Sequence, residues 1–116
     1  MDLDEVRSYC LAKEGVQETF PFGDTHHVFK VGGKMFLLAS SDSIPLTINV
    51  KADPVTAIEQ RERYAAVTPG YHMNKKHWNT VILNGSIRPT LLKQWIDDSY
   101  NLVLASIPKA KRPDLA

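Results

Sequence analysis

Apolar residues at helical spacing predict three helices along the chain. The first begins after the capping acid Asp2, which has a glutamate three residues later, and stops at Gly15. The second runs from Pro54 to about Arg63, because the capping acid Asp53 precedes a proline at the first helical position. The third begins at Pro89 and carries a wide apolar stripe until Pro108 ends it.

Runs of β-branched, aromatic and aliphatic residues predict the strands. Gly32-Gly33 separates two such runs and fits the two-residue turn of a hairpin, which needs positive φ at both positions. Pro21 and Gly23 instead make residues 19–23 a connecting loop. The five predicted strands are 27–31, 34–38, 46–50, 67–71 (interrupted by a Pro-Gly pair) and 78–83.

This order of elements predicts an α+β fold. Along the chain it is α-β(3)-α-β(2)-α, a mixed, mainly antiparallel sheet with helices packed against it. No repeat or linker interrupts the sequence, so residues 1–116 are predicted to form a single domain. The basic tail at 109–116 is expected to fray.

Composition narrows the class of protein. The chain has 116 residues, 43% apolar and 23% charged, which is typical of one soluble domain with its own core. Its single cysteine, Cys10, lies on an apolar helix stripe and indicates a buried hydrophobe. No run reaches the roughly 18 apolar residues of a membrane span, and the N-terminus is acidic. We therefore expect a cytoplasmic protein with no membrane partner and, since it has no heptad seam, a monomer.

Charge is unevenly distributed, although the net charge is only +1. Residues 1–62 carry −4 and residues 63–116 carry +5. Between Glu62 and Asp97 the chain has five basic residues and no acidic one, so some surface there can attract an anion. The alternative is that the fold brings the acidic half against this stretch and neutralises it.

The most distinctive segment is 69–79, PGYHMNKKHWN, which neither helix nor strand patterning explains. Its lysines suit contacts with phosphates, its tyrosine can stack on a base, and Asn74, Asn79 and His77 offer hydrogen-bonding groups. Alternatively, Met73 and Trp78 anchor the core, which is the favoured interpretation for an aromatic residue opening an apolar strand. For Lys75 and Lys76, phosphate contact and simple solvation on a tight turn both remain open.

The sequence shows no pattern that is specific for catalysis or metal binding. The four histidines lack metal-site spacing, Gly32-Gly33-Lys34 lacks that of a phosphate loop, and Asp97 and Asp98 lie about 100° apart on a helix. We therefore predict no catalytic residue, no metal and no cofactor. If the protein were an enzyme, His72 or His77 would be its candidate general base.

With its flanking landmarks, this segment resembles the MmcQ/YjbR family of small bacterial proteins. The specific block is His72-Met73-Asn74-Lys75-Lys76-His77-Trp78, in which Lys76 stands where the family often has arginine. Lysine keeps the charge but lacks the planar fork for bidentate contacts. The other landmarks, in family order over nearly the whole chain, are PFG at 21–23, KVGGKMF at 30–36, KADP at 51–54, SY at 99–100 and PK at 108–109.

The resemblance implies a fold likened to the frataxin-like, or CyaY-like, layout and to a double-wing DNA-binding domain, and it implies DNA binding. Carried onto this sequence, the candidate nucleic-acid-binding residues are His72, Asn74, Lys75, Lys76, His77 and Trp78. The basic residues Arg88, Lys109, Lys111 and Arg112 extend this set. Ser99 and Tyr100 form a second candidate patch, unless they and Asn74 serve only to satisfy backbone groups.

Two classes of function follow. The first is a non-enzymatic module that binds DNA weakly, largely independently of sequence, through phosphate contacts that salt weakens. The second is a module that binds an unidentified protein or small ligand in an apolar concavity lined by Phe20, Phe22, Tyr71 and Tyr100. The near-neutral charge favours this second class.

Overall fold

The computed structural model describes residues 1–70 and 73–112, without the side chain of Lys111. Within these residues the helices are α1 (Leu3–Leu11), α2 (Pro54–Arg63), α3 (Pro89–Ala105) and a 3-10 helix (Lys109–Lys111). The strands of the described residues are β1 (Val16–Thr19), β2 (His26–Val31), β3 (Lys34–Ser40), β4 (Thr47–Lys51), β5 (Val67–Pro69) and β6 (Trp78–Ile82). No helix in the described ranges is long and apolar enough to cross a membrane.

The six strands form one sheet in the order β1-β2-β3-β4-β6-β5, and each neighbouring pair is antiparallel. The predicted α+β class is confirmed, but four strands rather than three precede α2. The additional strand is β1, which pairs with β2. Its single apolar residue, Val16, gives almost no strand signal, and pairing with β2 supplies the backbone hydrogen bonds that make it a strand.

Local signals placed two of the elements correctly. The predicted hairpin joins β2 and β3, and Gly32 and Gly33 have φ values of 56° and 80°, in the left-handed region that glycine tolerates. Asp53 caps α2 by accepting hydrogen bonds from the amides of Val55 and Thr56 at 3.1 Å each. These signals act between residues a few positions apart, which is why the sequence alone reveals them.

The three helices pack on one face of the sheet. Apolar side chains of α1 and α3 form a single core with alternate residues of the strands, and α2 contacts β5 and β6 on the same side. The buried core residues include Val6, Cys10, Phe29, Leu37, Ile48, Val50, Val81, Leu92, Ile96 and Val103. The opposite face of the sheet is not covered by any helix of the described chain.

A β-bulge in β3 shapes this core. Phe29 pairs with Leu37 and Lys30 pairs with Met35, which leaves Phe36 without a cross-strand partner. The bulge turns both Phe36 and Leu37 into the core, where each is fully buried.

An ionic cluster ties α1 to the edge of the sheet. The guanidinium of Arg7 donates to both carboxylate oxygens of Glu18 at 2.8 and 2.9 Å, and Nδ1 of His27 lies 2.8 Å from the same carboxylate. Hydrogen bonding from Arg7 is the main reason why the pKa of Glu18 is below its ordinary value. The cluster therefore favours an ionised Glu18 on the edge strand β1.

The structure describes the first part of the C-terminal tail, up to Arg112. Residues 109–111 form the 3-10 helix, and the guanidinium of Arg112 donates to the carbonyls of Ile107 at 2.8 Å and Ala105 at 3.2 Å. Arg112 thereby satisfies carbonyls at the C-terminal end of α3, where a cation is also favoured by the helix dipole. Residues 113–116 lie outside the described part of the chain.

Candidate nucleic-acid interface

A tight turn after β5 presents the predicted basic pair. Oδ1 of Asn74 accepts from the amide of Lys76 at 3.0 Å, and its carbonyl accepts from the amides of His77 at 3.1 Å and Trp78 at 2.9 Å. An asparagine that bonds the backbone two residues ahead favours a turn of this kind. Lys75 and Lys76 therefore lie exposed at the apex of the turn.

Close packing at Gly70 fixes where this turn leaves the sheet. The amide of Gly70 donates to the carbonyl of Trp78 at 2.8 Å. A Cβ at Gly70 would lie 2.8 Å from Cβ of Trp78 and 3.0 Å from its carbonyl oxygen, so a side chain does not fit. Trp78 is half-buried, and the alternation of β6 places it with Thr80 on the helix-free face. His77 is also half-buried, and its carbonyl accepts from the amide of Ala52 at 2.8 Å.

A third cation adjoins the turn. Nη1 of Arg61, in the last turn of α2, donates to the carbonyl of Lys75 at 3.1 Å. In the described part of the chain neither Lys75 nor Lys76 forms an ion pair, and no ion pair joins an acid of 1–62 to a base of 63–112. The alternative of direct neutralisation by the acidic half therefore finds no support in the ion pairs.

The remaining predicted basic residues do not join this turn in a single patch. Arg88 is the N-cap residue of α3 and Lys109 follows its C-terminus. The 17 residues of α3 separate them by about 25 Å at a rise of roughly 1.5 Å per residue. Arg112 is bound to the end of α3, as described above. His72 and the side chain of Lys111 lie outside the described residues.

The second predicted patch is not a surface. Ser99 is fully buried and Tyr100 is 7% exposed. Oγ of Ser99 donates to the carbonyl of Phe36 at the bulge and accepts from the amide of Lys51. The hydroxyl of Tyr100 donates to the carbonyl of Glu14 at 2.7 Å. Both residues satisfy backbone groups, which was the alternative that the sequence left open.

Asn79, which belongs to the same distinctive segment, faces the core rather than solvent. It is fully buried, and its amide nitrogen donates to the carbonyl of Ala57 at 3.1 Å and to Oε1 of Gln60 at 3.0 Å. These bonds hold α2 against β6. Asn79 therefore has a structural role beneath the turn.

The concavity predicted from four aromatic residues does not form as expected. Tyr100 is in the core, where its ring packs edge-on against Phe36, and Phe20 packs against His27 at a centroid distance of 5.0 Å. Tyr71 lies outside the described residues. Of the four, Phe22 lines a cavity, which lies on the helix-free face of the sheet.

That cavity has a volume of about 740 Å³, and it was not predicted from the sequence. Its lining combines side chains of β2, β3, β4 and β6 with side chains of three surrounding loops. The lining residues are Phe22, His26, Met35, Leu38, Ser40, Asp42, Ser43, Thr47, Asn49, Met73 and Thr80. The signal available in the sequence was the second face of the predicted strands, where Thr47 and Asn49 alternate with the buried Ile48 and Val50.

The groups described at these sites offer hydrogen bonding, charge and apolar contact. No group of three His, Cys, Asp or Glu side chains within the described ranges could hold a metal ion. The carboxylate of Glu18 and the ring of His27 form a pair, but both side chains are about nine-tenths buried beside Arg7.

Comparison with known proteins agrees with the resemblance carried by the sequence motifs. The chain is 43% identical to YbdF of Escherichia coli O157:H7 over 95 residues, which are 81% of this chain and 77% of that protein. It is 29% identical to YjbR of Escherichia coli strain K12 over 112 residues, 97% of this chain and 95% of that protein.

The fold also matches a solved structure. The crystal structure of Deinococcus radiodurans protein DR2400, a DUF419 domain, superposes with a TM-score of 0.88 at 38% identity, covering 95% of this chain and 84% of that chain. The YjbR family model matches residues 11–102, from the end of α1 into α3. The chain therefore belongs to the YjbR family.

Proposed function

We propose that this protein is a non-enzymatic module that binds nucleic acid weakly through the turn carrying Lys75 and Lys76. The observation that supports this best is the pair of adjacent exposed lysines, held at the apex by Asn74 and free of ion pairs within the described chain. Arg61 adds a third positive charge at the base of the turn. Cations presented in this way contact phosphates and carry little sequence information.

Salt dependence gives the proposal a quantitative form. Each phosphate contact to duplex DNA contributes about 0.9 to the slope of log affinity against log salt. Two lysine contacts therefore contribute about 1.8 to the slope, and few contacts imply weak binding at physiological salt. Loss of both lysines should weaken binding similarly for every duplex sequence.

The test is fluorescence anisotropy of a labelled random-sequence duplex at low and at physiological salt. We expect Lys75→Ala with Lys76→Ala to lower affinity and flatten the salt slope by about 1.8. The matched control is Lys34→Ala with Lys93→Ala, which removes two exposed lysines elsewhere on the surface. Equal loss in both double variants, or no binding of either the duplex or its separated strand by the wild-type protein at tens of micromolar, would overturn the proposal.

A further inference from the structure

The helix-free cavity is lined by an asparagine, Asn49, whose side-chain amide can form further hydrogen bonds. Asn49 is only 6% exposed, and its Oδ1 accepts from the hydroxyl of Thr80 at 2.5 Å. Its amide nitrogen has no hydrogen-bond partner among the described residues. Asn49 lines the cavity, so its amide group is placed to bond a ligand that enters there.

The chemistry of that partner follows from the amide itself. An asparagine side chain offers N–H donors next to an oxygen whose second lone pair is still free. This arrangement pairs with an edge that presents an acceptor beside a donor, as the edges of nucleobases do.

The walls suit an aromatic, uncharged group. Met35, Leu38 and Met73 supply apolar surface, and Phe22 at the rim is 67% exposed although it lines the cavity. Exposed aromatic side chains on an open sheet provide surfaces on which bases stack. A volume of about 740 Å³ lies within the range of pockets that enclose a small heterocycle.

The cavity adjoins the proposed phosphate-binding turn. Met73 lines the cavity, and Lys75 and Lys76 follow it by two and three residues. At about 3.8 Å between consecutive Cα atoms, the two lysines lie within roughly 8 and 11 Å of Met73. A single nucleic-acid strand can therefore place a base in the cavity while its neighbouring phosphates reach the lysines.

We propose that the substrate class of this site is single-stranded nucleic acid, with one unpaired base inserted into the cavity beside Asn49. The inference rests on the proposed function and adds to it the form of nucleic acid that is bound. A base in a duplex is stacked and paired, so it reaches such a cavity only after being extruded from the helix. The protein should therefore prefer a single strand to a duplex of the same length.

The experiment compares a labelled 12-nucleotide single strand with the matching 12-base-pair duplex by fluorescence anisotropy. Phe22→Ala and Asn49→Ala remove the stacking and the hydrogen-bonding groups, and each should weaken single-strand binding by about tenfold while leaving duplex binding unchanged. Val55→Ala is the matched control, since Val55 is 66% exposed on α2 and lies outside the cavity lining. Thermal unfolding verifies each variant, and the exposed Phe22 keeps the test decisive if Asn49→Ala fails to fold.

A second readout locates the base. In ¹H–¹⁵N spectra the side-chain amide signal of Asn49 should shift when the single strand is added and stay unchanged with the duplex.

The outcomes separate this inference from the proposed function. Equal affinity for both forms, with both cavity variants unaffected, would overturn the single-strand inference and leave the role of the lysines intact. Absence of binding to either form would overturn both. Binding of free adenosine without binding of any strand would assign the cavity to a small ligand and also overturn the inference.

Discussion

Replacing Ser99 by alanine removes one hydroxyl that satisfies two backbone groups in the core. Its Oγ donates to the carbonyl of Phe36 at 2.5 Å and accepts from the amide of Lys51 at 2.8 Å. The carbonyl of Phe36 belongs to the bulge, where cross-strand pairing is interrupted. Ser99 is fully buried, so solvent does not replace the lost hydroxyl.

The size of the effect follows from these two bonds. A buried donor or acceptor left without a partner costs about 1–3 kcal/mol, and both groups lose their partner together. With partial relaxation of the bulge, we expect Ser99→Ala to lower the free energy of unfolding by about 2–4 kcal/mol. At roughly 4 °C per kcal/mol for a domain of this size, Tm should fall by about 8–16 °C.

Urea and thermal unfolding followed by circular dichroism measure this loss. Ser8→Ala, on the exposed face of α1, should change the free energy of unfolding by no more than about 0.5 kcal/mol. A folded Ser99→Ala variant that loses less than about 1 kcal/mol would show that these two hydrogen bonds do not stabilise the core as expected. Below its Tm, the variant should bind nucleic acid as the wild type does, because Ser99 has no access to the surface.

Two further predictions concern the edge cluster and the turn. Glu18 has a lowered pKa, so its ionised form stabilises the fold above the unfolded pKa of about 4.3, and this contribution is lost as pH falls through the folded pKa. In urea unfolding between pH 7 and 3, the free energy of unfolding of Glu18→Gln should therefore fall less with decreasing pH than that of the wild type. An equal fall in the two proteins would contradict the prediction. Glu62→Gln, at an exposed position, is the control and should behave as wild type. Gly70→Ala should lower Tm, because its methyl group would lie 2.8 Å from Cβ of Trp78. Thr68→Ala, in the adjoining strand β5, is its control, and an unchanged Tm for Gly70→Ala would contradict the prediction.

The sequence did not predict strand β1, and it did not decide the role of Ser99, for the same reason. Strand β1 has one apolar residue, and Glu18 within it is stabilised by Arg7 from α1 and His27 from β2, neither of which is adjacent in sequence. Ser99 has its role only because a bulge 63 residues earlier leaves a carbonyl to be satisfied. Such contacts have no local signature, so periodicity and propensity do not reveal them.

The candidate interface was also predictable from the sequence only in part. The segment with Lys75 and Lys76 stood out in the sequence because its residue types fit neither strand nor helix, and the structure places both lysines on an exposed turn. Which other cations share that turn was not predictable. Arg61 joins it from α2, whereas Arg88 and Lys109 lie at opposite ends of α3.

The α+β class, the Gly32-Gly33 hairpin, the start of α2 and the family were all predictable from the amino-acid sequence, because each depends on patterns within short segments or on motifs. The fold settled which face of the sheet the helices cover, and therefore that Ser99 and Asn79 lie beneath the helices whereas Asn49 lines the cavity on the other face. The physical reason is that alternation assigns side chains to two faces of a strand, but only the packing of helices decides which of those faces becomes the core.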